Sequence, residues 1–348
     1  MSMAQAPGKV TVVGAGSWGT TLSLLAARAG QAATLYVREP GRAAAIARTR
    51  RNARYLPEAE LPPAIVISSD LATACAGASM LLLAVPSQAM RATARELAPF
   101  VGKATVVSAA KGLERGSLKR MSEVLGDELG PEARDRICAL SGPNLAVEIA
   151  RGLPAASVVA GPQAAAARGR DHLMSPQFRC YTSLDMVGVE MGGALKNIIA
   201  IGAGMADGLD AGDNAKAGFM TRGIAEIGRL GVAAGANPLT FAGLAGLGDL
   251  VATCASPLSR NYRLGRELAK GRHLADILDE LGQVAEGVFA TETAAELGRR
   301  HGVELPITEQ LHAILFAGKS ALSAIRDLMG RDPRDELAWI QPDPNGTN

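Results

Sequence analysis

Three groups of residues in this 348-residue chain have the types and spacing to do chemistry. The first is Gly14, Gly16 and Gly19 in "VTVVGAGSWGTTLSLLAARAG". Each glycine costs conformational entropy on folding, so three within six residues need a return, and a phosphate resting against bare backbone is one candidate. The second is Lys196, set in the apolar segment "DMVGVEMGGALKNIIAIGAGM". On a helix its row at intervals of four is Gly188, Gly192, Ala200 and Gly204, so the lysine is the one bulky side chain there. Five glycines between 188 and 204 give up roughly 4–5 kcal/mol of helix propensity, so something must approach that backbone closely. The third is Ser259, Arg260 and Asn261, which follow Ser256 and Pro257 at a predicted helix start. There a guanidinium fork and unsatisfied N–H groups suit a phosphate, although an ordinary capped helix with surface arginines has the same signature.

A strand precedes the glycine turn, a helix follows it, and a second strand starts near Ala33. In that βαβ context the G-x-G-x-x-G pattern indicates dinucleotide binding. Gly14 allows the tight turn, Gly16 lets N–H groups reach a pyrophosphate, and Gly19 lets helix and sheet pack. The second strand ends in "LYVREP", where Arg38 favours NADP and Glu39 beside it would hold the ribose of NAD. The arginines of "RAAAIARTRRNAR" read mainly as a solvated helix face. A dinucleotide, a phosphate grip and a partly desolvated lysine fit reduction of a ketone, which needs a hydride on carbon and a proton on oxygen. Asp249 in "AGLGDLVATC" is a carboxylate that could hold the lysine, or equally a helix N-cap.

The elements that must position these groups fall into two blocks. Strands are predicted at 9–14, 33–37, 65–68, 80–85, 104–109, 137–141 and 157–160, alternating with helices. That order predicts a doubly wound parallel α/β sheet over residues 8–185. Beyond about Leu184 the β signal ends. Helices are predicted at 186–207, 217–235, 238–247, 260–270, 274–281, 290–301 and 307–317, giving a helical domain over 186–332 and a frayed tail over 333–348.

Composition narrows the class. The chain is 48% apolar and 20% charged with a net charge of +2, a globular balance that argues against a dedicated nucleic-acid binder. Four scattered cysteines and four histidines signal neither a disulfide framework nor a metal site, and a reduced cytosolic setting is the default. No signal peptide is evident at the start, and Glu190, Lys196 and Asn197 argue against a membrane span in the longest apolar segment. The oligomeric state has no marker in the sequence, and a homodimer is the expectation.

Taken together, "VVGAGSWGT", "VPS", "AAKGLE", "SGPN", "GGALKNIIAIGAGM", "AGLGDLVATC", "SRNYRLG", "GQVAEG" and "LPITEQ" resemble the bacterial-type NAD(P)-dependent glycerol-3-phosphate dehydrogenases along nearly the whole chain. The resemblance implies a Rossmann-like domain followed by an all-helical C-terminal domain. It also implies reduction of dihydroxyacetone phosphate to sn-glycerol 3-phosphate for glycerophospholipid synthesis, with NADP(H) or NAD(H) as cofactor. By the same resemblance Ser17, Trp18, Arg38, Lys111, Ala146, Arg260, Val284 and Glu286 meet the cofactor, with the glycine turn. Lys111, Gly142, Asn144, Lys196, Asp249, Thr253, Ser259, Arg260 and Asn261 meet the substrate. Lys196 is the implied proton-transferring residue, with Lys111 and Asp249 beside it in the catalytic set. Many relatives carry Thr or Ser where this chain has Asn144. Two other readings compete: a related dehydrogenase of β-hydroxy acids, which would need a carboxylate pocket, and a cofactor-sensing regulator, which would have no use for Lys196.

Overall fold

The computed structural model describes residues 8–281, 285–333 and 336. The expected frayed tail, apart from 333 and 336, lies outside the described residues. By their contacts the described residues form two units. One comprises those up to Lys111 together with Lys119–Met186, and the other comprises Gly112–Leu118 and those from Val187 onward.

The first unit is built on strands β1 (Lys9–Val13), β2 (Ala32–Tyr36), β3 (Arg51–Asn52), β4 (Leu56–Glu60), β5 (Val66–Ser68), β6 (Met80–Leu83), β7 (Thr105–Ser108), β8 (Ile137–Ser141), β9 (Ala155–Ala160) and β10 (Phe178–Ser183). Eight of them form one sheet in the order β10-β9-β8-β7-β6-β1-β2-β5. β1 lies where the order reverses, parallel to both β2 and β6, and this is where open α/β sheets bind ligands beyond the carboxyl ends of their strands. Its sequence, KVTVV, is β-branched and buried on both faces, as a central parallel strand requires. The same two-sided burial divides β6, where Met80 and Leu82 join the core on one face and Leu81 and Leu83 the core on the other.

Three features depart from the expected parallel sheet. β9 runs antiparallel to β8, because the connection between them holds only the short Ala146–Ala150 helix and returns the chain at the same end. β10 adds an edge strand parallel to β9. Its alternation of buried Phe178 and Cys180 with exposed Arg179 and Tyr181 is a half-buried pattern that polar residues dilute in the sequence. The arginine-rich stretch is also divided. A helix takes Pro40–Thr49, and the chain then turns into the antiparallel pair β3–β4. Arg50 there donates to the carbonyls of Leu61 at 3.1 Å and Ile65 at 2.8 Å, and does not lie on a solvated helix face.

The second unit is helical. Its central helix, Met186–Gly208, is buried without interruption from Met191 to Met205. By length and hydropathy this helix could cross a membrane, yet 83% of its apolar window is buried inside the protein. Around it lie helices Asp213–Ala233, Asp249–Ala255, Arg260–Ala269, Leu274–Leu281, Glu286–His301, Pro306–Ala317 and Ala321–Met329. The predicted 238–247 helix is instead a 3-10 turn at Pro238–Ala242 and a π turn at Leu244–Gly248. Gly243 between them is extended, which breaks the helical run. The Ala321–Met329 helix was not among the predicted segments, and it starts on a Ser320 cap that accepts the Ser323 N–H. Gly112–Leu118 belongs here because Leu113 is buried in the helical core and Arg115 pairs with Glu292 over the Phe289 ring.

Candidate active site

In the first unit the three turn glycines answer to three separate requirements. Gly14 has φ +110°, and a Cβ there would lie 2.6 Å from the Ala84 carbonyl oxygen. A Cβ on Gly19 would lie 1.8 Å from the Gly14 oxygen, so the helix could not approach the turn. Around a Cβ on Gly16 there is no protein atom within 4 Å. The backbone at Gly16 is therefore bare toward open space, and packing does not explain it. The helix Ser17–Arg28 that follows has no side-chain cap and no acid in its first turn, so its leading N–H groups and its positive dipole end suit an anion. The buried Trp18 Nε1 has no hydrogen-bond partner. The turn fits the pyrophosphate of a dinucleotide.

The other first-unit residues lie at carboxyl ends of the strands. Ser17 Oγ donates to the Tyr55 carbonyl at 2.6 Å. Arg38 is exposed two residues past the end of β2. Lys111, three residues beyond β7, donates from Nζ to the Gly142 carbonyl at 3.0 Å, which brings two of the predicted residues together. Gly142 packs against β9, where a Cβ would meet the Ala156 oxygen at 3.0 Å. Asn144 Oδ1 accepts from Ser157 Oγ at 2.8 Å, while its buried Nδ2 has no partner. Ala146 opens its short helix, and its carbonyl accepts from Thr21 Oγ1 at 3.1 Å.

In the second unit the lysine does not reach toward solvent. Its side chain is only 7% exposed and its Nζ donates to Asp249 Oδ1 at 2.6 Å and to Thr253 Oγ1. Thr253 Oγ1 in turn donates to the Asp249 carbonyl at 2.6 Å. Asp249 is the first residue of the Asp249–Ala255 helix and serves as the partner of the lysine, not as its cap. Burial, eased by nearby Lys196, pushes the adjacent Cys254 thiol up to about 12, so it stays neutral.

Protein backbone is what approaches the glycine row. A Cβ on Gly192 would sit 2.6 Å from the Ala245 oxygen, and one on Gly204 would sit 2.0 Å from the Tyr262 oxygen. The first contact seats the turn that leads into Asp249, and the second seats the helix that begins at Arg260. Small residues above and below Lys196 therefore set the distance of its partners. At that helix start Ser259 Oγ accepts the Tyr262 N–H at 3.2 Å as the N-cap, which still leaves the hydroxyl proton to donate. Arg260 is half-buried. Asn261 donates to Asn197 Oδ1 at 2.9 Å and accepts the Gly287 N–H at 3.0 Å, so much of its amide holds the protein itself. Glu286 begins the Glu286–His301 helix, and Val284 lies outside the described residues.

Sequence reasoning marked Asn197 as out of place in its apolar helix without giving it a role, and did not select Ser157, Asn52 or Arg42. The signal for Asn197 was its place beside Lys196 in an otherwise apolar helix. The other three are brought in by tertiary contacts alone. Among the described residues there is no cluster of metal-ligating side chains.

Residues 9–167 match the family model for the NAD-dependent glycerol-3-phosphate dehydrogenase N-terminus, and residues 185–326 match that for its C-terminus. The glycerol-3-phosphate dehydrogenase [NAD(P)+] of Moorella thermoacetica is 49% identical over 330 residues, 94% of this chain and 97% of its own. The Streptomyces coelicolor protein of the same name is 49% identical over 332 residues, 95% of this chain and 98% of its own. The crystal structure of glycerol-3-phosphate dehydrogenase from Coxiella burnetii superposes with a TM-score of 0.88 at 36% identity, covering 93% of this chain and 99% of that one. With both halves matched and near half of its residues shared, this chain belongs to the NAD-dependent glycerol-3-phosphate dehydrogenase family.

Proposed function

We propose that the chain reduces dihydroxyacetone phosphate to sn-glycerol 3-phosphate with NADPH or NADH, and runs the reverse oxidation, supplying glycerophospholipid synthesis in the cytoplasm. The observation that carries this reading is Lys196, buried and hydrogen-bonded to Asp249 and Thr253. A charged amine at such a site is costly unless it is paired, and a paired one is a poised proton donor.

When bound, the nicotinamide cofactor supplies the hydride to the ketone carbon. Lys196 hydrogen-bonds the ketone oxygen and transfers a proton to it as charge develops there, so the product leaves as a neutral alcohol. In the reverse direction its amine takes the hydroxyl proton. Asp249 keeps the ammonium charged and, with Thr253, fixes its direction. Arg260 grips the substrate phosphate with a bidentate fork, aided by Ser259, Asn261 and the helix start. Lys111, Gly142 and Asn144 bear on the substrate, and Lys111 also on the cofactor. The glycine turn, Ser17, Trp18 and Ala146 hold the dinucleotide, with Val284, Glu286 and Arg260 contributing, and Arg38 favours the 2′-phosphate of NADP. The partners in this reading are small molecules and a second copy of the chain in a homodimer, with neither nucleic acid nor membrane insertion.

Initial rates with NADH and NADPH, against dihydroxyacetone phosphate and against 2- and 3-oxo acids, test the reading. Faster turnover of an oxo acid would replace the substrate. Lys196→Ala is expected to lower kcat by about 10²–10⁴-fold, the usual worth of a positioned acid or base, with dinucleotide affinity changed less than about twofold. Activity surviving in that variant would remove the lysine from the chemistry.

A further inference from the structure

The carbonyl oxygen of Ala15, between Gly14 and Gly16, is held from outside the turn by two side chains. Asn52 Nδ2 donates to it at 3.0 Å and Arg42 Nη2 at 2.5 Å. Asn52, only 1% exposed, also donates to Thr20 Oγ1 at 2.8 Å, and Thr20 Oγ1 donates to the Gly16 carbonyl at 2.8 Å. One asparagine thus reaches two successive carbonyls of the glycine turn, the second through a threonine. A peptide group is planar and trans, so its C=O and N–H point in opposite directions. Fixing the Ala15 oxygen fixes the Gly16 N–H, and fixing the Gly16 oxygen fixes the Ser17 N–H.

The holding residues are themselves well anchored. Asn52 lies in β3, and Leu56 and Leu61 of the same hairpin region are buried in the unit's core. The hairpin's Tyr55 carbonyl accepts from Ser17 Oγ, and its ring lies under the Arg42 guanidinium at 5.0 Å. Gly16, with neither a Cβ nor a protein atom within 4 Å of where one would be, is the glycine of the turn that its surroundings do not hem in. An unrestrained Ala15 oxygen could also turn its lone pairs toward an incoming anion.

We propose that Asn52 and Arg42 are positioning residues that aim the turn's N–H groups at the dinucleotide pyrophosphate, with the β3–β4 hairpin as their brace. This rests on the reading above that the turn binds NAD(P). Because the brace acts on backbone shared by both cofactors, it predicts equal losses for NADH and NADPH. A direct contact of Arg42 with a 2′-phosphate predicts loss for NADPH alone.

The test is fluorescence titration of NADH and NADPH into the wild-type, Asn52→Leu, Arg42→Met and Arg42→Lys proteins, without turnover. Asn52→Leu keeps the side-chain volume and removes the donors. The Kd of both dinucleotides is expected to rise about tenfold, the worth of about one hydrogen bond to the turn, with kcat and the dihydroxyacetone phosphate KM within about twofold at saturating cofactor. Arg42→Met is expected to weaken both cofactors by the same factor, and Arg42→Lys to recover part of the loss. Unchanged Kd values in a folded Asn52→Leu protein overturn the proposal, and so does an NADPH-only loss in Arg42→Met. If Asn52→Leu does not fold, the two Arg42 variants decide. Failure of the wild-type protein to bind either dinucleotide would instead overturn the functional reading on which the brace depends.

Discussion

Asn144 shows how a single neighbour defines what a side chain offers. Ser157 Oγ occupies its carbonyl oxygen, which leaves the buried Nδ2 without a protein partner. In the proposed site Asn144 therefore presents a donor, the role that the hydroxyl of Ser or Thr also fills. Asn144→Asp exchanges that donor for an acceptor of the same shape and is expected to raise the dihydroxyacetone phosphate KM by about tenfold or more, at the cost of one unsatisfied polar contact. Asn144→Ser keeps a donor and is expected to stay within about threefold on the same reasoning. Steady-state kinetics of the two variants side by side checks this, and a tolerated aspartate would show that the amide oxygen faces the ligand instead.

Among the elements, the glycine turn separates packing from binding within six residues. Gly16 has φ −78° and ψ −174°, a conformation any residue adopts, with no protein atom near the position of a Cβ. Gly16→Ala is therefore expected to leave stability unchanged or raise it by about 0.4–1 kcal/mol through the unfolded state. The same change is expected to weaken NADH binding strongly. Gly19→Ala drives a methyl into the Gly14 carbonyl and is expected to cost about 1–3 kcal/mol or more. Thermal unfolding and NADH titration check both variants: Gly16→Ala should lose NADH affinity without losing stability, and Gly19→Ala should lose stability. The turn was legible in the sequence because its function requires a local pattern. The hairpin that braces it was not, since its strands are two and five residues long and its arginines imitate a solvated helix face.

For the whole molecule, the two units carry separate cores, so calorimetric unfolding is expected to resolve more than one transition. Glu226 provides a marker for the helical unit. It is 2% exposed and accepts the N–H groups of Ile307 at 2.8 Å and Thr308 at 2.8 Å, with the Thr308 hydroxyl at 2.6 Å, capping the Pro306–Ala317 helix from a neighbouring one. Glu226→Ala strands those donors and is expected to lower one transition only, by about 3 kcal/mol or more. Burial raises the Glu226 pKa against the pull of its hydrogen bonds. The folded state thus favours the protonated carboxyl, and its contribution is complete below the ordinary glutamate value of about 4.3 and lost as pH rises through the folded value. The gap between wild type and variant should accordingly narrow from acid to neutral pH.

By itself the sequence determined the strand–helix alternation of the first block and the helical character of the second, the dinucleotide turn, and the lysine on its row of small residues. Each of these is written in neighbouring residues or in one helical period, where local geometry alone fixes who stands beside whom. It left Asp249 as either a partner or a cap, and left open what approaches the glycine row. Tertiary structure decided both, because Gly192 and Gly204 admit the backbones of Ala245 and Tyr262, and those contacts carry Asp249 and Arg260 to their places. It also joined Asn52 and Arg42 to Ala15 across 37 and 27 residues. No local period encodes such distances, and burial of the hairpin and of the Pro40–Thr49 helix in the unit's core closes them.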